Sequence, residues 1–389
     1  VAAVMIPWMA VLLLQVPPSR YLYVSGQDGR APDGSVPSTF ESQVERALEN
    51  VKAVVEAEGL TMEHVVYTHV YLEDISRAET MNRVYAKFFP RSAPARAVLG
   101  AAKLRGTPIG IDAVAVRSLA ERKVVLVPGH PSTGPESPGI LTEDLLFVSA
   151  TRGKGDDPAA QVDSALDGLE AVLGAAGLTM SHMVFVNPFL TGAIPLEIMN
   201  ERYARRFEFG NTPARATIWV ESLPEGASIE YTGVAVRDLG ERRAVRPKNM
   251  APSPTASPCV FAGDTLYCSA KSGFIPGPHS GIYAATVEHQ LRQTLRNLLD
   301  GLEEAGMDFN QVVAMHVYLD DLADREAVEK IYAEYLGDAH PARTTIQQVE
   351  PGSRRPDEAG RYPTLEQISL IAVKDFKAFM AVKDRSAPR

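Results

Sequence analysis

With 389 residues and a formal net charge of −9, the chain has room for roughly two to four domains and is too acidic to track a polyanion. It carries no basic run of five or more residues, which argues against general nucleic-acid binding. Two cysteines are too few for a disulfide scaffold, and glycine and proline are too few for a disordered chain.

Val1 to Leu14 is almost wholly apolar. It is too short to span a bilayer and lacks the basic start of a signal peptide. Met9 to Gln15 therefore reads as a first hairpin strand, with Tyr21–Ser25 as its partner; a truncated signal peptide is the alternative. The expected location is the cytoplasm, with no membrane contact.

Ser38 and Glu41 have the spacing of a capping box for the first helix. Its buried stripe is Val44, Ala47, Leu48, Val51, Val54 and Val55 at helical spacing, and Gly59 stops it. Val65–Leu72 follows as a buried strand. A second helix bears Met81, Val84, Tyr85 and Phe88, then Pro94-Ala95-Arg96 opens another strand. Ile109–Val116 closes the unit.

The same order then returns twice. Leu145–Ser149, a helix striped by Val162, Ala165, Leu166, Leu169, Val172 and Leu173, Gly177, Met183–Leu190, Pro213-Ala214-Arg215 and Ile229–Val236 form the second copy. Thr265–Ser269, a helix striped by Leu291, Leu295, Leu298 and Leu302, Gly306, Val312–Leu319, Pro341-Ala342-Arg343 and Gln367–Val373 form the third. A period of roughly 120 residues matches a small domain rather than a solenoid repeat. The expected domains are 1–119, 124–239 and 248–376, with 377–389 as a tail and 351–363 as an inserted loop. Each reads as an α+β unit, a mixed sheet with two helices on one face. The opposite faces of the three sheets can bury one another.

Cys259 and Cys268 flank the turn signal Gly263-Asp264, opposite each other on adjacent strands. Two buried free thiols are the expected state, with a cross-strand disulfide as the alternative.

The ordered set of hairpin, Ser25-Gly26-Gln27, helix with glycine stop, Val70-Tyr71-Leu72 strand and Pro-Ala-Arg strand resembles the RidA/YjgF family. These are the reactive-intermediate deaminases, also called endoribonuclease L-PSP. The resemblance covers about residues 8–375, three times over. It implies a chorismate-mutase-like fold, a covalent pseudo-trimer around a central barrel, and ligand clefts between neighbouring domains. It also implies hydrolysis of small carboxylate-bearing imines or enamines, releasing ammonia and a keto acid.

The family's arginine clamps the substrate carboxylate, a task suited to the planar guanidinium fork. An acidic residue on the last strand positions water. Carried over by position, the second copy supplies Arg215 as clamp, Glu230 as acid, Asn200, Ser149 and Thr217, and is the expected principal site. Glu136 stands at the family's tyrosine position and would put a second carboxylate near some cleft, repelling an acidic ligand or binding a cationic one. The first copy supplies Arg96, Asn82 and Ser25, with Gly110 for the acid and Asp112 two residues on along the same strand face. Val98 stands for the family's cysteine, and Trp8 falls near the tyrosine place. The third supplies Arg343, Thr345 and Ser269, with Gln367 for the acid, Glu329 for the asparagine and Ala256 for the tyrosine. Each arginine has a structural alternative, pairing with a neighbouring carboxylate, and Glu230 could be an ordinary sheet-surface acid.

His69, Asn187 and His316 occupy equivalent strand positions and would meet at a pseudo-threefold axis. Two imidazoles and an amide make a poor metal set, so polar plugging of the interior is expected. No metal or cofactor is expected, because no phosphate-binding glycine loop or nucleophile elbow occurs. The competing functions are non-catalytic binding of 2-oxo acids, or of another protein, and hydrolysis of a different small C–N compound. A ribonuclease activity fits poorly, since the chain has no His pair suited to RNA cleavage. The expected partner is a small molecule, and further self-association of the pseudo-trimer is open.

Overall fold

The computed structural model describes residues 19–128, 135–248, 250–276, 281–337, 339–374 and 376. The expected strand at Met9 to Gln15, Trp8 and the tail after 376 lie outside the described residues.

Domain 1 runs β1 (Tyr21–Asp28), α1 (Phe40–Ala57), β2 (Val65–Leu72), α2 (Ala78–Phe88), β3 (Ala95–Gly100) and β4 (Ile109–Val116). Domain 2 begins with β5 (Lys123–Val125), β6 (Gly139–Leu141) and β7 (Leu145–Arg152), followed by α3 (Pro158–Ala175), β8 (Met183–Leu190) and α4 (Leu196–Ala204). It ends with β9 (Ala214–Arg215), β10 (Ile218–Trp219) and β11 (Ile229–Val236). Domain 3 holds β12 (Arg242–Val245), β13 (Cys259–Ala262), β14 (Thr265–Lys271), α5 (Val287–Glu304), β15 (Val312–Leu319), α6 (Arg325–Leu336), β16 (Ala342–Gln347) and β17 (Glu366–Val373). β12 joins the third sheet ahead of the expected start at 248.

Each copy builds the same mixed α+β sheet. The orders are β1-β4-β2-β3, then β5-β6-β7-β11-β8 with β9 and β10 on β8, then β12-β13-β14-β17-β15-β16. The buried strand pairs parallel with the Pro-Ala-Arg strand, as in β2 with β3, and in domain 2 with both β9 and β10; the other pairings are antiparallel.

The helices form where the stripes lie. Val44, Ala47, Leu48, Val51 and Val55 of α1 are buried against the sheet, each full burial contributing about 1.5–3 kcal/mol for a Leu or Val side chain. The cap differs from the expected Ser38–Glu41 box: Thr39 is the N-cap, its Oγ1 accepting from the Ser42 N–H at 3.2 Å. One residue of slip is common at helix ends. The stops are as expected, with Gly59, Gly177 and Gly306 at φ 73°, 75° and 74°, a left-handed conformation that costs other residues about 1–2 kcal/mol.

Each helix-covered face has its own apolar core. The opposite faces share two. In one, Tyr21 and Tyr67 of domain 1 pack with Phe147 and Val184 of domain 2 and Tyr267 of domain 3. In the other, Tyr71 and Leu99 of domain 1 pack with Phe189 and Ile218 of domain 2 and Tyr318 of domain 3. The sheets meet in cyclic order, β3 on β7, β9 on β14 and β16 on β1. They remain three separate sheets joined by isolated bridges, Gly100 with Ser222 and Lys103 with Gln347, so the expected central barrel is not a closed hydrogen-bonded one. Gly100 permits that approach, since a Cβ there would lie 2.8 Å from the Ser222 carbonyl oxygen.

The cysteine expectation is corrected. Cys259 and Cys268 are directly paired in register and joined by a disulfide, with Cα atoms 4.0 Å apart. Both side chains turn to the α5 face of the sheet, where nothing separates them. The unreduced chain is therefore expected to titrate no thiol with Ellman's reagent in denaturant and two after reduction. Two thiols before reduction would contradict the bond.

Candidate active site

Each Pro-Ala-Arg arginine is held in the same way by its own domain's second helix. The Arg96 Nη1 donates to Asn82 Oδ1 at 2.9 Å, and Arg215 Nη1 to Asn200 Oδ1 at 2.9 Å. In the third copy Arg343 Nη2 donates to Glu329 Oε1 at 2.5 Å. A tyrosine one turn further along that helix lies under each guanidinium, at 4.6 Å for Tyr85, 5.0 Å for Tyr203 and 4.9 Å for Tyr332. The tyrosines recur as Asn82-x-x-Tyr85, Asn200-x-x-Tyr203 and Glu329-x-x-Tyr332. Sequence reading took Tyr85 for core only, although that repeat carried the signal.

The next domain completes each cleft. The Arg96 N–H donates to Ser149 Oγ at 2.8 Å, Arg215 N–H to Ser269 Oγ at 2.8 Å, and Arg343 N–H to Ser25 Oγ at 3.0 Å. Ser149 and Ser269 also donate to carbonyls of their own hairpins, Ser137 and Ser257, at 2.6 Å. The clamp of one domain therefore faces the hairpin and last strand of the following one.

This order corrects the expected pairing of Arg215 with Glu230. Glu230 is fully buried on β11, with Arg152 Nε at 3.5 Å. Burial pushes its carboxyl up to about 7; Arg152 and Arg96 pull it down, and Glu136 and Glu225 push it further up. Its electrostatic surroundings are those of the Arg96 cleft. Both its oxygens lack a hydrogen-bond partner among the described residues. Arg215 is influenced instead by burial, which lowers its pKa, and by Tyr203 and Tyr231.

The three clefts thus differ. The first, between domains 1 and 2, gathers Arg96, Asn82, Ser149, Glu230 and Glu136, and Glu136 accepts directly from Arg96 Nη2. The carboxylate at the family's tyrosine position accordingly sits on the clamp. The second, between domains 2 and 3, holds Arg215, Asn200 and Ser269. Arg215 makes no ion pair with a described residue, and Thr217 Oγ1 is buried without a partner among them. Gln367, on β17, stands at the register place of Glu230: it pairs Tyr318 as Glu230 pairs Phe189. The third, between domains 3 and 1, opens into a cavity of about 580 Å³ lined by Ser25, Gly110, Glu329, Arg343 and Thr345.

Asp112 does not serve the third cleft in place of Gly110. It turns into the shared interior, accepting from His69 Nδ1 at 2.9 Å and Tyr71 OH at 3.1 Å, with His316 Nε2 at 3.4 Å. Burial alone would raise its pKa, but the charge and hydrogen bonds of the two histidines hold it far below the usual carboxylate range. His69, Asn187 and His316 do meet there, around a cavity of about 60 Å³.

A family profile described as endoribonuclease L-PSP matches residues 14–117, 130–237 and 248–350. The chain is similar to the mitochondrial protein mmf1 of Schizosaccharomyces pombe, 39% identical over 87 residues, 22% of this chain and 52% of that protein. It is similar to the mouse (Mus musculus) 2-iminobutanoate/2-iminopropanoate deaminase, 37% identical over 101 residues, 25% of this chain and 75% of that protein. Thus the chain spans about half the length of the first relative and three quarters of the second. A chorismatase crystal structure shares the fold over 80% of this chain and 93% of its own, with TM-score 0.57 at 13% identity. No helix among the described residues is long and apolar enough to cross a membrane.

Replacing Ser149 or Ser269 by alanine strands the arginine N–H at a buried seam. Each substitution should lower the unfolding free energy by about 1–3 kcal/mol in urea titration. A loss under about 0.5 kcal/mol, the size of an ordinary surface change, would show that the seams do not rely on these hydroxyls.

Proposed function

The chain belongs to the endoribonuclease L-PSP family, and from that premise we propose that it hydrolyses small carboxylate-bearing imines or enamines at the cleft between domains 1 and 2. One observation carries the choice of cleft: Arg96 is the clamp whose charge acts on Glu230, the buried acid held near neutral pH. Arg215 keeps the asparagine and serine of the set but faces Gln367 where the acid would stand.

In this reading the substrate carboxylate exchanges with Glu136 on the Arg96 guanidinium, one carboxylate for another. Asn82 and Tyr85 hold the fork in place as Glu136 leaves. The ionised Glu230 then takes a proton from water as its oxygen attacks the imine carbon. Glu230 returns that proton to the nitrogen, giving the carbinolamine, and then moves a second proton from the carbinolamine hydroxyl to the nitrogen as the carbonyl forms. The C–N bond breaks to leave ammonia and a keto acid. A carboxyl with a pKa near the working pH suits both transfers, since it is ready to accept and to return the proton.

A second reading, binding without turnover, is favoured at the third cleft. Its cavity of about 580 Å³ has room for a small ligand, yet Gly110 supplies no carboxylate at the acid position.

Ammonia release from freshly generated 2-aminoacrylate tests the first reading. Arg96→Gln and Glu230→Gln should each lower kcat/KM by about 100-fold or more, the usual scale for a lost proton-transfer or charge-binding group. Activity should rise through about pH 7 as Glu230 ionises, and that limb should vanish in Glu230→Gln. Loss in Arg215→Gln with full activity in Arg96→Gln would move the chemistry to the second cleft.

A further inference from the structure

The third cleft is positively charged beyond what a carboxylate clamp requires. Four arginines line it, Arg30, Arg105, Arg325 and Arg343, against two carboxylates, Asp28 and Glu329. They sit in a chain whose net charge is −9. Such a concentration of one sign in a cavity focuses the field on an anionic ligand.

The two carboxylates are already committed. Asp28 takes Arg30 through both Nε at 2.8 Å and Nη2 at 2.5 Å. Glu329 Oε1 receives Arg343 at 2.5 Å and has Arg325 Nε at 3.7 Å. Burial would push Glu329 up; the hydrogen bond and charge of Arg343, with Arg325 and Arg105 behind them, hold it below the ordinary range. Glu329 thus pairs with two guanidiniums and reaches Arg105 only through charge.

Arg105 makes no ion pair with a described residue. It comes from the domain 1 loop after β3, whose next residue, Gly106, packs on the Arg30–Asp28 pair; a Cβ there would be 2.8 Å from both Arg30 Nε and Asp28 Oδ2. Burial, and then the neighbouring charges of Arg325 and Arg30, lower the Arg105 pKa. Arg325 enters from domain 3 at the start of α6, so the two domains bring like charges together across the seam. A ligand with one negative charge, seated on Arg343, would leave that repulsion unrelieved. A second anionic group would relieve it.

We propose that the third cleft binds small organic dianions, with one carboxylate on Arg343 and a second anionic group between Arg105 and Arg325. Arg30, fixed by Asp28, supports the loop that carries Arg105. The proposal concerns binding, so it stands or falls separately from ammonia release at the first cleft.

Calorimetric titration of the full chain at low ionic strength, with 2-oxoglutarate, phosphoglycolate and 2-oxobutanoate, tests it. 2-Oxoglutarate, with two negative charges, or phosphoglycolate, with about two to three, should bind about tenfold more tightly than monoanionic 2-oxobutanoate, the scale of an added charge-assisted contact. Tighter binding of 2-oxoglutarate assigns the second group as carboxylate, and of phosphoglycolate as phosphate. Arg105→Gln and Arg325→Gln should each erase the advantage while changing 2-oxobutanoate affinity by less than about twofold. The exposed control Arg91→Gln, which removes the same charge elsewhere, should keep it. Equal affinity for all three ligands, an unchanged advantage in Arg105→Gln, or the same loss in Arg91→Gln would overturn the assignment.

Discussion

The structure depends on one hydrogen bond made three times, from the backbone N–H of a Pro-Ala-Arg arginine to a serine hydroxyl of the next domain. At two seams the same hydroxyl donates to its own hairpin, which ties that hairpin to the neighbour's clamp. Leaving a buried donor unpaired is costly, so the bond fixes both partners. It makes every cleft composite: the guanidinium comes from one domain, and the hairpin and last strand come from the next.

Composite clefts in a single chain can diverge independently, which identical subunits cannot do. The part held constant is the arginine with its tyrosine underneath. The carboxylate nearest the fork is what changed. In the first cleft it is Glu136 from the following domain, in the third Glu329 from the same domain, and in the second no described carboxylate pairs with Arg215. These differences shift charge while leaving the sheets alone, because the altered residues sit at the sheet ends and on α6, away from the shared cores. One cleft retains a buried acid near a clamp, and another has become a cavity rich in arginine.

The repeat made much of this architecture legible. Strict helical stripes, glycine stops and recurring Pro-Ala-Arg segments respond to local sterics and burial, which each copy must satisfy alone. The pairing of Arg215 with Glu230 failed for the opposite reason. Both belong to the second copy, but the cyclic packing turns them to different neighbours, and aligned copies do not encode direction around a ring. Asp112 was misread because residues two apart share a strand face over a distance that carries one to the cleft and the next to the interior. The disulfide depended on two side chains turning to the same helix. Arg105 and Arg325 have no basic counterparts at the matching places, which hold Glu225 in the second copy for Arg105, and Ala78 and Leu196 for Arg325, so aligned copies gave no sign of them.

The central claim is that the acid of domain 2 serves the clamp of domain 1. The most direct measurement is the Glu230 pKa, followed by carboxyl ¹³C NMR in the unmodified chain, Arg96→Gln and Arg215→Gln. The account predicts a value near 7 that rises when Arg96 is neutralised, since that charge favours the carboxylate, and does not move with Arg215. A pKa that rises with Arg215→Gln and ignores Arg96→Gln would contradict it.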